Sequence, residues 1–376
     1  MVCPLGSRQP VPTCLHFGTD YLQNRYPSTM DSLSADTFSL PLAGPSIKRP
    51  TVGVIIVNWN TFDVLERCLA ALAEQQAPIH RTIVIDNASS NPPEELPSKR
   101  PANTRYIRAA ENLGFARANN LAMAELQDCQ WVALVNPDAF LAPDCLEQLL
   151  LATMHWPQAA CFGAVTLMAH EPARLDGIGD AYHASGLCWR LGHGEPLSES
   201  AFLDRPIFSP CAATALYRRD IYQAVGGLDE DFFCYCEDVD LGFRLWLAGY
   251  QCRLVPNARA LHVGSASSGG QRSDFALYHG HRNLVWTYVK NMPGALFWLL
   301  LPAHILMNLL TTLVYVCRGR GGVLLRAKRD AIRGLPQMWR KRREIQAQRK
   351  ASLMSIWRLL EKGLGRQRNA TKQPLP

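Results

Sequence analysis

The chain has 376 residues, of which 48% are hydrophobic and 19% charged, so it can bury the core of one large or two small domains and is not globally disordered. The net charge of +7 is unevenly distributed: residues 318–376 carry 17 Lys and Arg against 3 Asp and Glu, whereas residues 1–317 carry 22 against 29. A mildly acidic body with a basic end excludes a uniformly basic nucleic-acid-binding protein.

Residues 1–50 contain no continuous apolar run of the kind that a secretory signal needs, and Pro, Ser and Thr interrupt them throughout. We expect a disordered leader, with Met30 as an alternative start of translation; the other interpretation is an ordered arm packed on the body. The 12 cysteines form no CxxC pair, and a chain of this length needs no disulfide framework. They are predicted to be reduced thiols, most of them in the core.

Short runs of apolar and β-branched residues alternate with segments of helical periodicity up to residue 154. The predicted strands are 54–57, 82–85, 106–107 and 131–135, and the predicted helices are 63–76, 115–126 and 143–154. This alternation is typical of an α/β fold with a doubly wound sheet. Residues 160–270 are less regular, with short strands and helices predicted at 218–225 and 237–248.

Polar residues follow three of the predicted strands: Asn58, Asp86-Asn87 and Asn136-Pro137-Asp138. Because ligands of doubly wound sheets bind outside the carboxyl ends of the strands, these positions form a candidate binding site. A carboxylate such as Asp86 can accept the N3–H of a uracil or thymine ring. An Asx turn that closes the strand is equally consistent with its position.

Asn136-Pro137-Asp138 also has two interpretations. Mg²⁺ and Mn²⁺ prefer oxygen ligands, and one Asp together with phosphate oxygens would bind a cation that neutralises a diphosphate leaving group. The same tripeptide also strongly favours a turn. His262, which follows a strand-like run, would either complete the metal shell or be a structural histidine.

Glu237-Asp238 begins a predicted helix that several apolar side chains anchor. This arrangement would hold Asp238 rigidly as a general base for the hydroxyl of an acceptor. We expect the helix dipole to lower the pKa of Asp238 and to keep it ionised. The alternative is that these acids only stabilise the N-terminus of the helix.

Six motifs occur in one order along the chain. They are VIIVNWN (54–60), VIDNASS (84–90), NLGFARANN (112–120), LVNPDA (134–139), GGLDEDFF (226–233) and EDVDLGFRL (237–245). With these motifs, residues 51–290 resemble family 2 glycosyltransferases of the GT-A fold, and most of all the rhamnosyltransferase-like branch of bacterial envelope polysaccharide synthesis. Rhamnose as the transferred sugar is implied by that branch alone.

The resemblance implies a binding site for a nucleotide-sugar donor, a dTDP- or UDP-sugar, along the first four motifs. The residues that would contact its base, ribose and diphosphate are Val57, Asn58, Asp86, Asn87, Gly114, Arg117 and Asn136. Asn136 takes the first position of the family's Asp-x-Asp motif, where a carboxylate is the stronger ligand. Residues 210–213 also depart from the family, since relatives often have a glycine-containing loop there.

The resemblance implies the chemistry as well. Asp138 would hold Mg²⁺ or Mn²⁺, with His262 as a second metal ligand. Asp238, next to Glu237, would be the catalytic base. The reaction would be a single displacement with inversion, and the acceptor a hydroxyl of a glycan or of a polyprenyl-linked saccharide.

Residues 298–316 carry no formal charge and would just span a bilayer, but Pro302, His304 and Asn308 interrupt the run. A single span would separate a cytosolic catalytic body from a basic tail that also belongs in the cytosol. We therefore expect a monotopic or hairpin anchor at the cytoplasmic face of the inner membrane, in contact with anionic lipid. The predicted regions are a leader (1–50), a GT-A domain (51–290), membrane-associated helices (291–340) and a basic tail (341–376).

Other functions stay as alternatives. A degenerate, non-catalytic scaffold of a polysaccharide assembly complex is the main one, and a homodimer that buries residues 294–317 is an alternative to membrane contact. A nucleic-acid partner is not expected. Neither a dinucleotide-binding GxGxxG nor a P-loop occurs in the sequence.

Overall fold

A computed structural model of the chain describes residues 50–198, 203–264 and 273–363. The predicted leader, apart from Pro50, and the last part of the predicted tail lie outside these residues. The ten cysteines within them are free thiols, and most are buried.

Twelve strands occur in the described residues, and ten of them form one mixed sheet. They are β1 (Val52–Asn58), β2 (Arg81–Asp86), β3 (Thr104–Arg108), β4 (Trp131–Val135), β5 (Ala139–Leu141), β6 (Ala159–Met168), β7 (Glu171–Gly177), β8 (Asp180–Tyr182), β9 (Cys188–Arg190), β10 (Arg205–Pro206), β11 (Thr214–Arg218) and β12 (Gln251–His262). The main order is β10-β12-β6-β11-β4-β1-β2-β3, with β5 paired to β12 and β7 to β6. Strands β8 and β9 form a separate two-stranded ribbon.

Ten α-helices accompany these strands in the same described ranges. They are α1 (Phe62–Ala73), α2 (Gly114–Ala124), α3 (Cys145–His155), α4 (Arg219–Ala224), α5 (Glu237–Leu247), α6 (Asp274–Asn291), α7 (Gly294–Cys317), α8 (Gly321–Arg333), α9 (Leu335–Ala347) and α10 (Leu353–Leu359).

The parallel half of the sheet has the order β3-β2-β1-β4. Strands β1, β2 and β4 are buried between two layers of helices, whereas the edge strand β3 is partly exposed. Along β1, Ile55 and Val57 pack in one core with α2 and α5, while Val54 and Ile56 pack in the other core with α1 and α3. This explains the continuous apolar run, because both faces of the strand are buried. The predicted doubly wound α/β fold is confirmed.

The other half of the sheet is more regular than the sequence indicates. Strand β11 lies antiparallel between β4 and β6, and the twelve-residue β12 runs parallel to β6. A register shift between Val255 and Arg259 bends β12 where the sequence has Pro256 and Asn257. Because Pro and Asn are rare inside strands, such residues make a long strand difficult to predict from the sequence.

The C-terminal helices share a core with the α/β body. Tyr182 and Phe243 of the body belong to the same apolar cluster as Trp286, Phe297 and Met338. The indole of Trp286 also donates a hydrogen bond to the carbonyl of Ala331 in α8, at 2.9 Å. Helices α6 to α9 therefore pack in one core with the element that carries the predicted base, α5.

Candidate functional site

The ends of β1 and β2 bring Asn58 and Asp86 side by side, since the two residues are paired in register. Both are buried, and Val57, the residue before Asn58, lies in the core. Asp86 Oδ1 accepts the backbone N–H of Ser89 at 3.1 Å, so this carboxylate closes a turn after β2, as the alternative to a ligand-binding role predicts. Asn58 accepts a hydrogen bond from the Thr61 hydroxyl, whereas its buried Nδ2 has no partner in the described residues. This orphaned donor is consistent with a ligand at this edge of the sheet.

Asn87 attaches the next predicted segment to this edge. Its side chain accepts the N–H of Leu113 at 2.8 Å and donates to Asn112 at 2.9 Å. Gly114 follows with a φ of +75°, and a Cβ there would lie 2.5 Å from the Phe233 ring, so only glycine fits. Arg117 is half exposed and lies within 4 Å of Glu111 and Glu230. The packing against Phe233 thus accounts for Gly114 without any ligand.

Asn136, Asp138 and His262 meet although the histidine is more than 120 residues further along the chain. Asp138 is 4% exposed, and its Oδ1 lies 3.2 Å from His262 Nε2. Asn136 Nδ2 lies 3.5 Å from the same ring nitrogen. The backbone N–H of Ala139 closes a turn on Asn136, so the tripeptide is both a turn and part of this cluster.

Sequence reasoning missed Asp176 and Arg190, which extend the cluster. His262 Nδ1 lies 2.8 Å from Asp176 Oδ2, and Arg190 Nη1 donates to the same oxygen at 2.9 Å. Burial would lower the pKa of His262, but its hydrogen bonds to Asp138 and Asp176 outweigh burial and raise it to about 9. Asp176 and Arg190 stand on short strands with no motif around them, so only the fold reveals them.

Asp238 stands at the first turn of α5, where its Oδ1 accepts the N–H of Val239 at 2.8 Å and its Oδ2 that of Ala212 at 3.4 Å. The prediction of a lowered pKa is wrong. Burial raises the pKa of Asp238, against the opposing effects of the Val239 N–H and the charge of Arg190. A base with a raised pKa takes a proton more readily, which suits the predicted role.

Glu237 is more deeply buried than Asp238, with 6% of its surface exposed. Its Oε2 has no hydrogen-bond partner in the described residues. Burial, followed by the charge of Asp238, raises its pKa well above the usual range. The residue before it, Cys236, is the N-cap of α5 but makes no side-chain cap. Asp238 does stabilise this N-terminus through the Val239 N–H, whereas Glu237 Oε2 has no such partner in the described residues.

The loop before α5 is strained and held in place by α6. Phe233, Tyr235 and Cys236 have φ values between 63° and 69°, a region that non-glycine residues seldom adopt. Asn283 of α6 donates to the carbonyls of Phe232, Cys234 and Tyr235 at 2.7 to 3.0 Å. Its single amide thus fixes the strained path that places Glu237 and Asp238.

The donor atoms at Asp138 and His262 fit a divalent cation. A carboxylate oxygen and an imidazole nitrogen 3.2 Å apart, with the amide of Asn136 nearby, are ligand types that Mn²⁺ and Mg²⁺ sites use. His80, Asp128 and Cys129 form a separate group of potential ligands. It lies at the opposite end of the sheet, and its Asp128 is already paired with Arg81.

The sequence model of the family described as "Glycosyl transferase family 2" matches residues 53–226. An N-acetylglucosaminyl-diphospho-decaprenol L-rhamnosyltransferase of Mycobacterium tuberculosis is 29% identical over 251 residues, which cover 60% of this chain and 80% of that protein. Rhamnosyltransferase WbbL of Escherichia coli is 26% identical over 223 residues, covering 56% and 83% of the two chains.

Among solved structures, the fold is similar to that of GalNAc-T7 with UDP, GalNAc and Mn²⁺, with a TM-score of 0.53 at 15% identity. The match covers 65% of this chain and about half, 48%, of that one. At this identity the likeness concerns the fold alone. Together with the sequence matches, it means that this chain contains a glycosyl transferase family 2 domain of the GT-A fold and is a glycosyltransferase.

Proposed function

We propose that the protein transfers a sugar, with rhamnose as the first candidate, from a dTDP- or UDP-sugar to a hydroxyl of a polyprenyl-diphosphate-linked saccharide in envelope polysaccharide synthesis. One observation carries the proposal: the cation-binding candidates Asp138 and His262 are joined through Asp176 to Arg190, whose positive charge acts on Asp238. The names of the relatives in M. tuberculosis and E. coli support the donor sugar, and the former supports the lipid-linked acceptor.

In this proposal the donor lies along the carboxyl ends of β1, β2 and β4. Asp86 binds the base, with Asn87 and the backbone of Val57 and Asn58 beside it. Gly114 and Arg117 lie near the ribose and diphosphate, and Asn136 lies close to Asp138. A divalent cation held by Asp138 and His262 would neutralise the departing nucleoside diphosphate.

The protein's own residues carry out the proton transfer. Asp238 takes the proton of the acceptor hydroxyl, whose oxygen attacks the anomeric carbon from the side opposite the diphosphate. The N–H groups of Val239 and Ala212 keep the carboxylate oriented for that step. One displacement inverts the anomeric configuration and needs no covalent enzyme intermediate.

The proposal is tested by incubating the full chain with Mn²⁺ or Mg²⁺, an N-acetylglucosaminyl-diphospho lipid with a short isoprenoid chain, and either dTDP-L-rhamnose or a UDP-sugar. We expect a glycolipid product that is heavier by one sugar in mass spectrometry, with inverted anomeric configuration by NMR. A chain that binds donors but neither transfers nor hydrolyses them with either metal would favour the non-catalytic scaffold.

We also propose that the protein is monotopic, with α7 lying in the plane of the membrane surface. Helix α7 has the length and the apolar composition of a membrane span. At about 1.5 Å per residue its ends are about 36 Å apart, which would place them on opposite sides of a bilayer. Both ends are, however, held against α6: Arg320 pairs with Asp274 at 2.8 Å, and Met292-Pro293 joins the two helices directly.

Contacts along α7 support the same orientation. The ring of His304 stacks on Tyr288 of α6 at 4.0 Å, and Lys328 of α8 donates to the Asn308 side chain at 2.5 Å. Helix α6 carries charged side chains and holds the loop of the catalytic base, so it cannot enter hydrocarbon together with α7. A helix in the plane of the membrane surface can bury an apolar face in lipid while α6 stays outside the hydrocarbon.

The outer face of α7 is apolar and exposed. Its exposed side chains are Trp298, Leu299, Ile305, Leu306, Leu309, Leu310, Leu313, Val314 and Val316. The neighbouring helix α8 exposes Leu325 and Ile332 together with arginines, including Arg326 and Arg329. Apolar side chains beside arginines complement an anionic bilayer surface.

Replacing Leu306 and Leu310 by glutamate is expected to weaken binding to vesicles of phosphatidylglycerol and phosphatidylcholine by about tenfold or more per side chain, because each leucine loses its burial in lipid. Co-sedimentation measures the bound fraction. The control is Leu121→Glu, which replaces a leucine that is similarly exposed, on α2. Equal sedimentation of both variants would contradict the proposal, and a dimer in vesicle-free solution that the double variant abolishes would favour a second copy as the partner of this face.

A further inference from the structure

Two polar side chains near the catalytic pair are assigned no contact with the donor or the acceptor in the transfer described above. Asp180 in β8 and Arg190 in β9 are directly paired across the two-stranded ribbon. Asp180 is 7% exposed, and the Arg190 side chain is 24% exposed. The N–H of Asp180 donates to the carbonyl of Ser209 at 2.8 Å, so the ribbon is attached to the segment that leads to Ala212. That segment also contacts Asp238.

The charges of Asp180 and Arg190 interact with the charge of the base. Burial, followed by the charge of Asp238, raises the pKa of Asp180 to about 8. The positive charge of Arg190 in turn opposes the raised pKa of Asp238. Arg190 gives one N–H to Asp176, and a guanidinium has five such donors.

Glu237 is a second, independent observation that points to a ligand near the base. It is more than nine-tenths buried, and its Oε2 lacks a hydrogen-bond partner in the part of the chain that the structure describes. The charges of both Asp238 and Asp180 act on it. Because a buried polar atom without a partner costs free energy, a ligand rich in hydroxyl groups would stabilise this arrangement.

We propose that Asp180 and Arg190 bind the acceptor sugar through the hydroxyl groups that neighbour the reacting one. This inference rests on the proposed function, since it takes Asp238 as the base that the reacting hydroxyl touches. A carboxyl group and a guanidinium placed side by side can accept from one hydroxyl and donate to the next. Both residues come from the β8–β9 ribbon, whereas the donor is assigned to residues after β1, β2 and β4.

The decisive variant is Asp180→Asn, measured with dTDP-L-rhamnose and the short-chain N-acetylglucosaminyl-diphospho lipid. We expect the KM for the lipid to rise about tenfold or more, while kcat and the KM for the donor stay within about threefold. Since Asp180 is mostly protonated at pH 7, the amide replaces a neutral group of similar shape, and thermal unfolding should be almost unchanged. Arg190→Lys keeps the charge near Asp176 but loses the planar fork, so it should give the same pattern.

A matched control comes from Arg218 and Asp220, an ion pair on the surface with a distance of 2.9 Å. Asp220→Asn and Arg218→Lys should leave both KM values unchanged. A deoxy acceptor that lacks the hydroxyl next to the reacting one should bind the parent enzyme more weakly. Its KM should not rise further in Asp180→Asn, because the hydroxyl that Asp180 would bind is already absent.

The inference is overturned if folded Asp180→Asn and Arg190→Lys proteins keep the parent's KM for the lipid, or if the KM for the donor rises instead. Failure of the proposed function has a different signature, because the parent itself would then make no product from this donor and lipid. Should Asp180→Asn not fold, Arg190→Lys and the deoxy acceptor with the parent enzyme decide the question by the same readouts.

Discussion

Asp238→Asn is expected to lower the rate of sugar transfer by about 10²- to 10⁴-fold while the donor Kd changes by less than about threefold. The amide cannot take the proton of the acceptor hydroxyl, but its oxygen can still accept the N–H of Val239. Because burial already disfavours the charge of Asp238, a neutral side chain should not destabilise the fold. Initial rates of product formation and calorimetric titration with the donor measure the two quantities.

The control for this experiment is again Asp220→Asn, which neutralises a surface aspartate at the start of α4. It should keep the activity of the parent. An Asp238→Asn protein that transfers sugar at more than a tenth of the parental rate would show that another group is the base. A variant that loses donor binding as well would place Asp238 in the donor site.

Lys290→Met is expected to lower the free energy of unfolding by about 3–5 kcal/mol. Lys290 is 1% exposed and pairs with Asp229 and, at 2.7 Å, with Asp240. Removing the ammonium leaves two buried carboxylates without one of their neutralising positive charges. This lowers the free energy of unfolding far more than the loss of a surface ion pair does. Denaturant unfolding measures the change.

Lys99→Met is the matched control, because Lys99 pairs with Glu74 at 2.5 Å but both side chains are more than half exposed. It should cost less than about 1 kcal/mol. Adding Asp229→Asn to Lys290→Met should cost less than the sum of the two single changes, since each removes the partner of the other. Equal effects of Lys290→Met and Lys99→Met would show that the buried network does not stabilise α5 and α6.

The part of the candidate site that sequence reasoning predicted consists of residues at the ends of regular elements. Asn58, Asp86 and Asp138 follow strands that local apolar runs identify, and Asp238 begins a helix with clear periodicity. The rules of strand order then place these residues at one edge of the sheet. His262 follows a strand-like run, and the family resemblance implies that it is a metal ligand. Its contact with Asp138 needs the long strand β12.

Asp176, Asp180 and Arg190 could not be found in this way. Their strands have seven residues or fewer, and their pairing partners lie across turns or in distant strands. No local period marks such residues, because their positions depend on contacts between segments that are far apart in the chain.

Local patterns of side chains are enough to predict the parallel α/β half of the fold, the order of the motifs at the proposed donor site and the apolar character of α7. The tertiary structure, in contrast, sets the direction in which the pKa of Asp238 shifts, because burial depends on what packs around α5. It also decided how α7 lies, since Asp274 and Tyr288 of α6 hold that helix against the body. A charge pattern limits the topology of a membrane helix, but contacts with the folded body set its orientation.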